Sequence, residues 1–213
     1  MGRRTLRQTW WVAAAGFLLV SCGSSAPISS PTTTTGAVTT SSTASPTTSS
    51  VSNCSASGLS PVVPGEAGLP SAVAAMRADL ARAAATCDWT ALAGLVDRNG
   101  PGLRFSFGAE TDPVGYWKAE EQRPGAVAPM KALRLLLTLP FARQAIPGGP
   151  DAYTWPAAFA SEHPTEAQLQ EVAATGLYSM AMLNGWLQGG NNYLGYRVTI
   201  LGTGDWTLFV TGD

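Results

Sequence analysis

Few residues in this chain are of a type and spacing that could do chemistry. His163 is the only histidine. It stands beside Pro164 just before a helix start, and an imidazole works as a general base only when a second group orients it within reach of a proton. No G-x-S-x-G elbow, S-x-x-K, H-E-x-x-H, phosphate-binding loop or dinucleotide fingerprint accompanies it. A Ser-His-Asp triad built from distant residues stays formally open, with nothing to mark its partners. Two acidic pairs, Glu110 with Asp112 and Glu120 with Glu121, have the residue type that glycoside hydrolysis uses across a cleft. In polar stretches the same acids read first as a solvated surface. Aromatics are more suggestive, because Trp117, Trp155, Trp186 and Trp206 lie near Tyr116, Tyr153, Tyr193 and Tyr196. With amides such as Asn191 and Asn192 they could hold a sugar or peptide. The competing reading is that they fill the core and its rim. No cofactor is expected, and a metal site would need more ligands than Cys54, Cys87 and His163 readily supply.

The elements that must position these residues begin after an unusual first quarter. Residues 1–22 run from a basic start through an apolar stretch at residues 10–20 to Ser21 and Cys22, the order of a signal peptide. Those eleven apolar residues fall short of the roughly twenty that a helix needs to cross a bilayer. Residues 23–53 hold nineteen Ser or Thr, three prolines and no charge. Such a segment cannot bury enough apolar surface to offset its ordering entropy and reads as a flexible tether. Residues 54–213 then suffice for one domain with a sizeable core. Asn53-Cys54-Ser55 fits the N-glycosylation pattern, a short motif to which almost no weight is given.

The segment Leu19-Val20-Ser21-Cys22-Gly23 resembles the lipobox of bacterial lipoproteins. The resemblance implies a diacylglyceryl group on the Cys22 sulfur, cleavage on its amino side, and anchoring to the outer face of the cytoplasmic membrane. Residues 1–21 are then a lipoprotein signal peptide and residues 22–53 a lipidated tether. Two or more acyl chains anchor stably where one would not. Arg3-Arg4 with Thr5 and Leu6 has the look of a twin-arginine export signal. Similar Ser/Thr-rich tracts, which can be O-glycosylated, precede the folded part of lipoproteins from high-GC Gram-positive bacteria. With Cys22 lipidated, Cys54 and Cys87 remain as an even pair in an oxidising compartment, which argues for one disulfide.

Within the domain, Ser71 can cap a helix whose residues Val73, Met76, Leu80, Ala83 and Cys87 recur at helical spacing, placing Cys87 on the buried face. Asp88 can cap a second helix, stopped by Asn99-Gly100-Pro101. Leu103, Phe105 and Phe107 alternate as in a half-buried strand. Another helix starts after Pro129 and ends before Pro140. Thr165 with Gln168 forms a capping box for a helix that could continue past Gly176 to Trp186. At the tail, Leu194, Tyr196, Val198 and Ile200, then Trp206, Leu208 and Val210, alternate on either side of a glycine turn. This predicts a C-terminal hairpin with its even-numbered residues inward. The fold class is α+β, several helices on a small antiparallel sheet. Tyr153-Thr154-Trp155-Pro156, together with the ending from Gly195 onward, resembles an uncharacterised bacterial family and transfers no catalytic residue.

The hairpin period turns Tyr193, Arg197, Thr199, Phe209 and Thr211 outward. Tyr193, Arg197 and Phe209 are therefore the candidate binding residues, since tyrosine and arginine combine broad apolar area with directional donors. Arg3, Arg4 and Arg7 precede Cys22, leaving ten basic residues against fourteen acidic ones without a run of like charge, so nucleic acid is not an expected partner. The leading expectation is a non-enzymatic binding or interaction lipoprotein of the envelope, joined to the membrane through its lipid, with an envelope protein or glycan as partner. A carrier of a small apolar ligand and an unmarked envelope hydrolase are the alternatives. A ligand-sized apolar cavity favours the carrier, a cleft holding His163 or two facing carboxylates the hydrolase, and a shallow surface the interaction module.

Overall fold

The computed structural model describes residues 54–190 and 192–212, all within one compact unit, Thr48–Asp213. The segments expected to be the leader and the tether, with the expected lipidation at Cys22, lie outside the described residues. In chain order come helices α1 (Ser71–Ala85), α2 (Trp89–Asn99), α3 (Pro113–Glu121) and α4 (Pro129–Leu136). Strands β1 (Ala142–Gln144) and β2 (Ala152–Trp155) follow, then helices α5 (Glu166–Ala174) and α6 (Met180–Gln188), and finally strands β3 (Arg197–Leu201) and β4 (Trp206–Val210). The strands pair antiparallel in the order β1-β2-β3-β4, and β3 with β4 makes the expected C-terminal hairpin, so the fold is α+β.

Local signals account for most helix ends. Asp88 caps α2 by accepting the Ala91 N–H at 2.8 Å, and Gly100 stops it at φ 65°. Thr165 and Gln168 form the capping box of α5. Gly176, at φ 73°, ends that helix, and Ser179 caps α6 as a separate one. Ser71 does not cap α1: Pro70 precedes the helix, and no side chain closes its end. Helix α3 was not foreseen.

One sheet face, made by Tyr153, Trp155, Val198, Ile200, Trp206 and Phe209, packs beneath α1, α2 and α4. Trp117 from α3 stacks on Trp206 at 5.4 Å and meets Phe209 at 5.2 Å, so a single aromatic cluster joins the sheet to the helices. Residues 103–107 form a single parallel bridge, Arg104 with Leu208, rather than a strand. Their alternation holds for buried Leu103 and Phe105 but fails at Phe107, which is 46% exposed after the chain turns at Ser106–Gly108.

The segment 54–70 crosses the helices as an irregular strap, and buried arginines hold it. Arg77 donates twice to Leu137 O, at 3.0 and 2.7 Å, and once to Pro64 O at 2.8 Å, and it pairs with Glu66 at 3.3 Å. Arg134 donates to Ser60 O and, at 2.9 Å, to Val62 O. The Cys54–Cys87 disulfide closes the strap onto the end of α1 across a sequence separation of 33. Cys87 is not on the buried face of α1, as the helical period had it. It lies just past the helix at φ 58° and is half-buried.

Candidate functional site

The three candidate binding residues of the hairpin are not on a free surface. Tyr193 is 2% exposed, Arg197 5% and Phe209 1%. The register explains the correction. Val198 pairs with Phe209 and Thr199 with Leu208, but Ile200 pairs with Trp206, so the ladder carries a bulge at this point. A one-residue shift moves every later side chain to the other face. Phe209 therefore joins Trp206 in the core and stacks on Tyr196 at 5.0 Å, while Leu208 and Val210 take the opposite face.

That opposite face is itself covered. Arg197 lies over the ring of Phe159 at 4.7 Å and over that of Phe107 at 5.5 Å, and its Nη1 reaches Gly195 O at 3.4 Å. Thr154 and Thr199 hydroxyls meet at 2.9 Å beside it. Tyr193 belongs to a second aromatic group, with Trp186 at 5.7 Å and Tyr178 at 6.1 Å. Its hydroxyl donates to Tyr196 O at 3.1 Å, and burial pushes the phenol well above its ordinary range. These aromatics fill the core and its rim.

The acidic pairs divide. Glu121 is structural, accepting the Ser55 N–H at 2.7 Å and the Met130 N–H at 3.1 Å, and Glu120 is buried against Arg123. Glu110 accepts the Ser106 hydroxyl, which lowers its pKa. Asp112 caps α3 through the Gly115 N–H at 2.9 Å. Neither pair faces itself across a cleft.

His163 does line a cleft, of about 360 Å³, with Glu162, Pro164, Leu187, Gly190 and Asn192. Asn191, the other amide singled out with Asn192, lies outside the described residues. Among the described residues no hydrogen bond or ion pair orients the imidazole, although the His163 backbone N–H donates to Ser161 Oγ at 3.2 Å. No group of three or more His, Cys, Asp or Glu suited to a metal occurs among the described residues.

The larger site is one that sequence reasoning missed. A cleft of about 580 Å³ opens between α2 and the start of α3. Ala93, Val96 and Asp97 share one face of α2, being three and four residues apart. Leu103 and Phe105, each 9% exposed, make the floor, and Pro113 and Val114 form the far wall. Asp97 and Asp112 supply charge at its exposed rim, and no lysine or arginine lines it among the described residues. Its lining falls within residues 93–114 but on a helix, a loop and the start of a second helix, so no single periodicity signals it. The arrangement can seat an apolar group and attract a cation; the functional groups along it are the Asp97 and Asp112 carboxylates and the Thr111 hydroxyl, with Asp112 engaged as the cap of α3.

The Cys54–Cys87 disulfide fits a domain folded in an oxidising compartment. Among the described residues, no helix is long and apolar enough to cross a membrane. Compared with family models, curated proteins and solved structures, the chain matches none.

Proposed function

We propose that this protein is an exported lipoprotein of the cell envelope whose domain is a binding module, with the α2–α3 cleft as its contact site. The observation that carries the reading is the cleft itself, a concavity with mostly apolar walls over the buried Leu103 and Phe105, beside a core that its aromatics fill. A carrier covers most of its ligand's surface. This cleft is open along one side and so suits a side chain or short segment of a partner better than a swallowed ligand. The Cys22 lipobox and the tether support display from the membrane, which leaves the domain free to meet envelope partners.

A photo-crosslinking residue in place of Ala93 tests the contact site in intact cells. It should capture a discrete envelope protein that the same residue at exposed Thr138 does not. Equal capture from both positions, or none from position 93, rules out the cleft. Cys22→Ala should release the protein from the membrane fraction or leave an uncleaved precursor. An acylated, processed variant would overturn the lipoprotein reading.

A further inference from the structure

Building on the cleft as contact site, we infer that its partner is a cationic peptide segment, one in which an apolar side chain is followed closely by lysine or arginine. The floor and walls, Val96, Leu103, Phe105, Pro113 and Val114, ask for an apolar group. The two charged residues that line it, Asp97 and Asp112, are both acidic. Asp112 keeps one oxygen on the Gly115 N–H, which fixes the orientation of its carboxylate. Asp97 is exposed, and its carboxylate makes no hydrogen bond or ion pair among the described residues.

The position of Asp97 argues further that the fold does not require it. It lies in the last turn of α2, where the helix dipole disfavours negative charge. Its neighbour Arg98 turns instead toward Asp79, 3.6 Å away. An acid that opposes the dipole without a compensating partner contributes nothing to stability, yet it stands on the cleft-facing side of the helix with Ala93 and Val96. An incoming ammonium or guanidinium would supply the missing counter-charge, while the side chain next to it covers Leu103 and Phe105. An anionic or neutral partner would leave Asp97 uncompensated and, in the anionic case, repelled.

The test uses the mature full chain in detergent, with the methyl groups of Val96, Leu103 and Val114 followed by NMR. Three tetrapeptides are titrated, alternating leucine with lysine, with glutamine or with glutamate. The lysine peptide should shift these methyls with an affinity roughly fivefold to tenfold above that of the glutamate peptide, the glutamine peptide falling between. The preference should shrink in about 0.5 M salt, where exposed charges are screened within a few ångström. Asp97→Asn should lose most of it while melting no lower than the native chain. If all three peptides shift the methyls equally and Asp97→Asn changes nothing, the cationic preference is wrong and the cleft reading survives. If none of them moves the cleft methyls, both are wrong. If Asp97→Asn lowers the melting temperature markedly, the acid serves the fold and this inference is overturned.

Discussion

Phe209 stands across the hairpin from Val198, while its neighbour Leu208 stands across from Thr199 on the opposite face. The bulge beyond that pair lets Trp206 and Phe209, three residues apart, share the core side. Both are fully buried, and Phe209 packs against Trp117, Tyr196 and Trp206. Phe209→Ala and Trp206→Ala should each cost about 3 to 5 kcal/mol, as truncating a buried aromatic commonly does. Chemical denaturation of the two variants measures this. A loss for Phe209→Ala within experimental scatter of zero would place its ring outside the core.

The same hairpin shows what could be read from the sequence and what could not. Its strands and turn were legible because alternation and glycine spacing are local. The bulge depends on pairings with β2 and on Arg104, whose N–H and carbonyl bond Thr207 and Phe209, so the assignment of faces failed while the element itself was right. Caps at Asp88 and Thr165 were legible for the same local reason. Helix α3 has no apolar stripe, since only Trp117 and Glu120 are buried along it. Strand β2 is buried at all four positions and shows no alternation. Nothing local in the sequence marks Arg77 and Arg134 as buried donors, because the carbonyls they serve come from the strap and from Leu137, distant in the chain.

That use of arginine can be tested directly. Burial pushes the Arg77 guanidinium below its ordinary pKa, and Glu66 opposes the shift, so the charge is kept by its partner and by three carbonyl bonds. Arg77→Leu leaves Leu137 O and Pro64 O without their donor and the Glu66 carboxylate without its counter-charge. The expected loss is about 3 kcal/mol, since breaking a buried charged network strands its remaining polar groups. Limited proteolysis should at the same time cut within residues 58–66 faster than in the native chain. A variant as stable and as resistant as the native protein would show that the strap is held by other contacts.

Three buried phenols give a distinct alkaline signature. Desolvation by burial raises Tyr178, Tyr193 and Tyr196 above the ordinary value of 10.0, with the charge of Glu120 adding to the effect at Tyr196. A raised pKa means that the folded protein keeps a proton the unfolded chain releases. Stability from these groups is therefore constant below about pH 10 and falls as pH rises beyond it, by about 1.4 kcal/mol per pH unit for each phenol. Denaturation midpoints measured from pH 8 to 11.5 should be flat and then drop, with phenolate absorbance of Tyr193 and Tyr196 appearing only on unfolding. Tyr193→Phe should reduce the slope by one tyrosine's share, while losing the hydrogen bond to Tyr196 O. A smooth phenolate titration near pH 10 in the folded state would contradict their burial.

Cys87 occupies the position just past α1 that glycine usually takes. Its N–H bonds Ala84 O at 3.1 Å and the Asp88 N–H bonds Ala83 O at 2.9 Å, the two bonds of a Schellman ending. That ending needs a left-handed residue, and Cys87 supplies it at φ 58°. A residue with a Cβ adopts this conformation at a cost of roughly 1 kcal/mol relative to glycine. The disulfide to Cys54 more than offsets it, since closing a loop of this length contributes about 3 to 4 kcal/mol on the chain-entropy model. Removing the bridge with Cys54→Ala and Cys87→Ala should cost about that amount. With Cys54→Ala held fixed, Cys87→Gly should be more stable than Cys87→Ala by about 1 kcal/mol, because glycine enters the left-handed region without strain. This order is the reverse of the usual preference for alanine over glycine in and around helices. Equal stability of the two variants in urea denaturation would mean that the ending of α1 relaxes once the disulfide is gone, and that the bridge, not the Schellman bonds, sets the backbone at Cys87.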